Sequence, residues 1–316
     1  MGAPLSFVSV VIPVFDERES LRPLAAELLP ALQALERRYE VIFVDDGSRD
    51  GSTEVLADLA AAEPEVRVVR LRRNFGKGAA LMAGFREARG DAVVTLDADL
   101  QDDPAEIGRM LAVLEDGADL VSGWKENRQD PWTKRAASRV FNGVTARVSG
   151  LDLHDLNCGF KAYRAEVVRA LALTGDLYRY IPVMAAAEGF RVRELSVNHR
   201  ARRHGRSKYG LERYIRGFLD LLTIMFIGRF RSRPMHLFGG LGLLFCAIGV
   251  AIGAYLTALK LTGAAIGQRP LLLLSVLLIV VGIQLVTLGL ISELITRNHL
   301  RRDVDEVASR VERIFD

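Results

Sequence analysis

Two stretches near the carboxyl end constrain this 316-residue chain more than any other feature. Leu237 to Leu259 carries no charged residue, and neither does Leu271 to Ser292. At about 1.5 Å of rise per residue, a helix over either one is long enough to cross a hydrocarbon core of roughly 30 Å. Both therefore read as transmembrane helices joined by the short Lys260–Pro270 segment; the alternative is a buried helical hairpin in a soluble core. Gln284 is the one strongly polar side chain in the second stretch, and a single amide does not overturn the reading. Half of the chain is hydrophobic and its mean hydropathy is +0.17, an excess concentrated in these two segments.

The positive charges near the spans set an orientation. Arg229, Arg231 and Arg233 precede the first and Arg297, Arg301 and Arg302 follow the second, whereas the connection offers Lys260 and Arg269. Both termini are thus expected in the cytoplasm. Nothing at the amino terminus resembles a signal peptide, since Met1 to Pro4 lead straight into strand-like Phe7-Val8-Ser9-Val10-Val11-Ile12. Cys158 and Cys246 fall in different regions and suggest no disulfide framework. A net charge of +3 is too slight to imply nucleic acid as a partner.

Ahead of the spans, strand-like runs recur at Phe7–Ile12, Val41–Val44, Val66–Leu71, Ala92–Leu96 and Asp119–Ser122, with helical patterns between them. Leu21, Leu24, Leu28, Leu32 and Leu35 mark one apolar face. The segments Ser52–Ala62 and Gly78–Ala88 supply two more helices, and Pro104 stands at a first helical turn before Ile107, Leu111 and Leu114. This alternation predicts an open, mostly parallel α/β sheet. Leu211, Tyr214, Ile215, Phe218, Leu219 and Leu222 form a further apolar face just before the basic stretch. Its position there favours a helix lying in the membrane interface.

Acidic residues gather at three strand ends: Asp16-Glu17, Asp45-Asp46 and Asp97-Ala98-Asp99. A parallel sheet places such ends along one edge, where ligands bind. Two carboxylates two residues apart on extended backbone point the same way. Packing alone does not account for them, because buried like charges are costly without compensation. A divalent cation carrying phosphates compensates naturally, as Mg²⁺ takes one or two carboxylates plus phosphate oxygens.

The set Val11-Ile12-Pro13-Val14-Phe15-Asp16-Glu17, Val44-Asp45-Asp46-Gly47-Ser48, Asn74-Phe75-Gly76-Lys77-Gly78 and Asp97-Ala98-Asp99-Leu100-Gln101 resembles a family 2 glycosyltransferase of GT-A (Rossmann-like) fold. Asn157-Cys158-Gly159-Phe160-Lys161-Ala162-Tyr163-Arg164 and Arg202-Arg203-His204-Gly205-Arg206-Ser207-Lys208-Tyr209 resemble its polyprenyl-phosphate branch, which includes dolichyl-phosphate mannose synthases. The resemblance covers roughly residues 6–210, and the two spans match the layout of the bacterial members. It implies a catalytic domain over 1–210, a juxtamembrane segment over 211–235, the hairpin over 236–293 and a cytoplasmic tail over 294–316. It further implies a multi-pass protein of the cell inner membrane with its catalytic domain in the cytoplasm, and a homo-oligomer.

By that resemblance Pro13, Phe15, Glu17, Asp45 or Asp46, Lys77, Asp97 and Ala98 bind the nucleotide sugar. Asp99 and Gln101 ligate Mg²⁺ or Mn²⁺, with Asp97 in the ribose or metal surroundings. Arg202 and Lys208 match basic residues of a loop over the diphosphate, a role that suits guanidinium and ammonium groups. Arg200, Arg202, Arg203, Arg206 and Lys208 could instead serve the bilayer surface. Arg135, Arg139 and Asn142 share one helical face that could cradle the acceptor phosphate, with simple solvation of that face the alternative. Asp155 is a candidate near the reaction centre. Relatives often carry an aspartate directly before the phenylalanine, proposed as a base; here that position is Gly159.

The activity implied is an inverting, metal-dependent transfer of one sugar from a UDP- or GDP-hexose to a polyprenyl phosphate (undecaprenyl or dolichyl) at the cytoplasmic face. A processive polysaccharide synthase of the same superfamily is one rival, but its Gln-x-x-Arg-Trp signature is missing, since Trp132 follows Asp130-Pro131. A non-catalytic nucleotide-sugar-binding membrane protein is another, opposed by the intact Asp99, Gln101, Arg202 and Lys208.

Overall fold

The computed structural model describes residues 5–125, 153–155, 158–171, 175–198, 200, 234–263 and 270–311. Apolar runs become strands where the sequence predicts them: β1 (Phe7–Val14), β2 (Arg38–Asp45), β3 (Val66–Arg70), β4 (Ala92–Thr95) and β5 (Leu120–Trp124). Two strands were not foreseen, β6 (Lys161–Arg164) and β7 (Val192–Ser196). Together they form a seven-stranded sheet in the order β3-β2-β1-β4-β6-β5-β7. The pairs β1–β2, β1–β4, β2–β3 and β5–β7 are parallel, and β6 alone runs antiparallel to its neighbours β4 and β5.

Helices α1 (Arg18–Gln33), α2 (Ser52–Ala62), α3 (Lys77–Glu87) and α4 (Ile107–Glu115) make the crossovers. In α1 the expected stripe is buried at Leu21, Leu24, Leu28 and Leu32. Each such leucine contributes about 1.5–3 kcal/mol relative to exposure. The Asp103 carboxylate accepts from the Ala105 N–H at 3.1 Å and caps a 3₁₀ turn, Pro104–Glu106, that leads into α4. There Ile107, Met110, Leu111 and Leu114 face the core. The short α5 (Ala165–Ala170) and α6 (Ile181–Ala187) follow β6. Strands β1, β2 and β4 are buried along nearly their whole length, as strands covered on both faces must be.

A separate unit holds α7 (Pro234–Leu261) and α8 (Pro270–Val311). Met235–Leu261 and Pro270–Ile295 are long and apolar enough to cross a membrane, with mean hydropathies of 2.2 and 2.8. Leucines such as Leu243 and Leu273 point outward. The two helices meet at small residues: a Cβ on Gly242 would lie 2.6 Å from the Gly282 carbonyl oxygen, and one on Gly249 2.8 Å from that of Ser275. The Ser275 hydroxyl donates to the Gly249 carbonyl at 2.8 Å. Close backbone approach and hydrogen bonding of this kind hold helices together where no hydrophobic drive exists between them.

Candidate active site

The loops after β1, β2 and β4 converge at the carboxyl edge of the sheet, around a cavity of about 280 Å³. Pro13, Phe15, Glu17, Asp46, Lys77, Asp97, Ala98 and Asp99 line it, together with Asn74 and Gly76. Phe15 is 42% exposed, an unusual position for a phenylalanine that leaves a ring face available to a flat ligand.

Strand alternation separates the two adjacent aspartates at the end of β2. Asp45 is fully buried and turns inward, accepting from the Ser48 N–H at 2.9 Å and the Thr53 hydroxyl at 2.6 Å. Asp46 turns to the cavity and accepts from the Phe75 and Gly76 N–H groups at 2.7 and 2.9 Å. Gly47 between these loops has φ +75°, and a Cβ there would fall 2.6 Å from the Arg73 carbonyl carbon. Only glycine allows that approach.

At the start of α3, the Lys77 ammonium binds the Asp97 carboxylate. Burial is the largest influence and pushes its pKa down, but the charge and hydrogen bond of Asp97, with Tyr178 and Asp102, together hold it above the usual lysine value. The acidic turn then folds back on itself through Leu100, whose φ of +63° is a left-handed conformation uncommon for leucine. The Gln101 N–H donates to Asp99 Oδ1 at 3.2 Å. Asp102 lies beneath, with the Asp97 N–H at 3.4 Å from one carboxylate oxygen and Lys125 Nζ 3.0 Å from the other. Burial depresses the Lys125 pKa, and the Asp102 charge and hydrogen bond, with Cys158 and Asp97, together more than restore it.

The antiparallel pairing explains the glycine before Phe160. Thr95 is opposite Lys161, so the next residues toward the edge bring Gly159 up to Asp97. A Cβ on Gly159 would lie 2.7 Å from Asp97 Oδ2, so a side chain there would have to push the Asp97 carboxylate aside, and an acidic one would add a like charge beside it. Lys161 is 3% exposed and donates to the Cys158 carbonyl. Burial lowers its pKa, although the charges of Asp155 and Asp97 pull the other way. Burial likewise pushes the Cys158 thiol up to about 11, which makes it an inert neighbour. Asp155 is buried with its N–H donating to Glu194 at 2.8 Å, and it does not line the cavity.

Gln101 contacts Arg200 rather than lining the cavity: its amide nitrogen lies 3.5 Å from the Arg200 carbonyl oxygen. Arg200 itself binds Glu27 and Asp103, which withdraws it from the bilayer role open to it in the sequence. Arg135, Arg139, Arg202 and Lys208 lie outside the described residues, as do Asn142 and the apolar face of 211–222. Asp102 and Lys125 are the residues that sequence reasoning missed, together with the contact of Arg200 to the acidic turn. A second acidic pair, Asp102-Asp103, three residues after Asp99 was the one available signal.

Among the described residues no three His, Cys, Asp or Glu side chains gather as a self-sufficient metal cage. The cavity instead offers carboxylate oxygens from Asp97 and Asp99. That donor set fits Mg²⁺ or Mn²⁺, hard ions that complete their coordination with phosphate oxygens and water.

Comparison with known proteins agrees with this geometry. In fold the chain is similar to glucosyl-3-phosphoglycerate synthase of Mycobacterium tuberculosis in complex with Mn²⁺ and UDP-glucose, at a TM-score of 0.54 and 19% identity, over 70% of this chain and 78% of that one. A mannosyltransferase of Pyrobaculum calidifontis in complex with GDP-Man and Mn²⁺ gives a TM-score of 0.50 and 21% identity over 70% and 63%. In sequence it is 39% identical to the dodecaprenyl-phosphate galacturonate synthase of Rhizobium johnstonii, over 94% of this chain and 89% of that protein. It is also 39% identical to the undecaprenyl-phosphate 4-deoxy-4-formamido-L-arabinose transferase of Edwardsiella ictaluri, over 93% and 90%. The GtrB C-terminal hairpin matches residues 233–298, over the two apolar helices. Residues 9–172, with the strand ends that carry the acidic pairs, match glycosyl transferase family 2, and the chain belongs to that family with a GT-A fold.

Proposed function

We propose that this glycosyltransferase moves a single sugar, with inversion, from a nucleotide donor to a polyprenyl phosphate at the cytoplasmic face of the inner membrane. The observation that carries this reading is that similarity to two polyprenyl-phosphate sugar transferases spans more than nine-tenths of the chain, hairpin included. The substrates demand such an architecture: a nucleotide sugar is aqueous and a polyprenyl tail dissolves in the bilayer. The solved neighbours hold UDP-glucose in one case and GDP-Man in the other, so the fold accommodates either base.

In this reading Phe15, with Pro13 and Glu17, receives the base and ribose. Asp46 holds the loop at Phe75 and Gly76 against them. Lys77 keeps Asp97 oriented, and Asp99 would hold Mg²⁺ or Mn²⁺ from the turn that Gln101 completes. An ion held there would supply positive charge to stabilise the departing nucleoside diphosphate. Arg202 and Lys208 share that task, and Arg135 and Arg139 position the acceptor phosphate. A phosphate monoester has a second pKa near about 6 and is already mostly dianionic at neutral pH. It needs positioning more than deprotonation, so no base is assigned to Asp155 or required at Gly159.

The test is transfer by the purified protein to undecaprenyl phosphate, with a panel of UDP- and GDP-sugars as donors. The expected product is a lipid carrying one sugar, in β linkage from an α donor, by mass spectrometry and NMR. A ladder of oligosaccharides would refute single transfer, and a retained α linkage would refute direct displacement.

A further inference from the structure

Arg200 sits four residues beyond the edge strand β7 and 101 positions after Asp99, yet it is bound to the acidic turn through both its backbone and its side chain. Its N–H donates to the Gln101 carbonyl at 2.8 Å, and its own carbonyl faces the Gln101 amide nitrogen at 3.5 Å. Its guanidinium reaches Asp103 at 3.1 Å and, with the other nitrogen, Glu27 on α1. Asn198 adds a second tie, donating to the other Asp103 oxygen at 3.0 Å. These charges answer one another: Asp103 is held below the usual carboxylate range, since its hydrogen bonds and the Arg200 charge outweigh burial, and Arg200 is raised by Glu27 and Asp103.

The turn so held has reason to need holding. It contains Leu100 in a left-handed conformation and brings several carboxylates close together, both of which favour its opening. An arginine suits the task because its planar fork engages two carboxylates at once.

We propose that Arg200 is a positioning residue that fixes the Asp99–Gln101 turn in the shape that receives the divalent cation and diphosphate. The proposal rests on the reading that Asp99 holds that ion. The Arg200 ion pairs are half-exposed, so their loss should disturb the turn without unfolding the domain.

The experiment measures Mn²⁺ binding by electron paramagnetic resonance in the full-length protein in detergent, with UDP and with GDP present, beside a thermal melt. Arg200→Ala should weaken Mn²⁺ binding about 10- to 100-fold, the range for residues that orient metal ligands. Its melting temperature should stay near that of the parent, and Arg200→Lys, which keeps the charge but not the fork, should fall between. If Arg200→Ala does not fold, Arg200→Lys and Glu27→Gln are read in its place, and each should weaken binding by a smaller factor. Asp99→Asn tests the underlying reading separately and should abolish Mn²⁺ binding. Loss in Asp99→Asn with parental affinity in the Arg200 variants overturns the role of Arg200 alone. Parental affinity in Asp99→Asn overturns both.

Discussion

Removing one partner of the Asp102–Lys125 pair should unsettle the whole catalytic domain. The Lys125 side chain is 9% exposed and that of Asp102 1%, and their charged atoms are 3.0 Å apart. Asp102→Asn leaves the ammonium buried without its carboxylate, and Lys125→Met leaves the carboxylate without its ammonium. Breaking a buried pair in this way costs about 3–5 kcal/mol. For a domain of this size each kcal/mol moves the midpoint by roughly 2–4 °C, so each single variant should melt roughly 6–20 °C below the parent. The double variant Asp102→Leu/Lys125→Met carries neither charge and should regain most of that loss. It should nonetheless transfer poorly, because Asp102 also accepts from the Asp97 N–H and shapes the acidic turn. Thermal melts followed by the fluorescence of Trp124, next to Lys125 in the chain, read the stability; nucleotide release reads the turnover. Single variants that melt within about 2 °C of the parent would refute the buried-pair argument. A double variant with full turnover would refute the shaping role.

Asp99→Asn changes a ligand charge and almost no volume, so transfer should fall to background while the melt is unchanged; full turnover, or turnover undiminished in excess chelator, would remove the metal from the mechanism. Gly159→Ala puts a methyl 2.7 Å from an Asp97 oxygen and must displace that carboxylate from Lys77. The expected result is a raised donor KM and a loss of about 1–3 kcal/mol in stability, and parental values for both would show that Asp97 has room to move. Glu40 is buried, and although burial alone would raise its pKa, the Ser9 hydroxyl, the Arg89 N–H and Arg67 hold it below the ordinary 4.5. Its contribution is therefore complete above that value and lost as pH falls through the lower folded-state pKa. Glu40→Gln should lower stability at pH 7 and flatten the acid limb of a stability profile, and an unchanged acid limb would assign the acid sensitivity elsewhere.

The strands that were legible in the sequence are those whose burial is written as an uninterrupted apolar run, such as Val8 to Ile12 or Ala92 to Thr95. Strand β6 escapes that signal because its four residues begin with a buried lysine and end with an arginine. Strand β7, Val-Arg-Glu-Leu-Ser, lies at the sheet edge and is only partly buried, which leaves a weak alternation. The acidic strand ends were visible as a set, and their meeting along one edge follows from the parallel topology. Which of Asp45 and Asp46 faces the cavity depends on where the strand twists into its loop, and composition does not encode that. The pairs Asp102–Lys125 and Arg200–Asp103 join residues far apart in the chain, and no local period reports such partners.

The hydrogen bonds along the sheet edge run from one loop to the next without a break. Asp16 ties the first loop to Ser48 and Arg49 of the second, and Asp46 ties the second to Phe75 and Gly76 of the third. Lys77 joins the third to Asp97, and Gln101 joins that turn to Arg200. Loops left to themselves would sample many conformations, and a donor that had to freeze them would bind more weakly for every residue it ordered. Here that loss of freedom occurs once, at folding. The donor meets a rim already set in one arrangement, and its own interactions are left to hold the reacting groups in line.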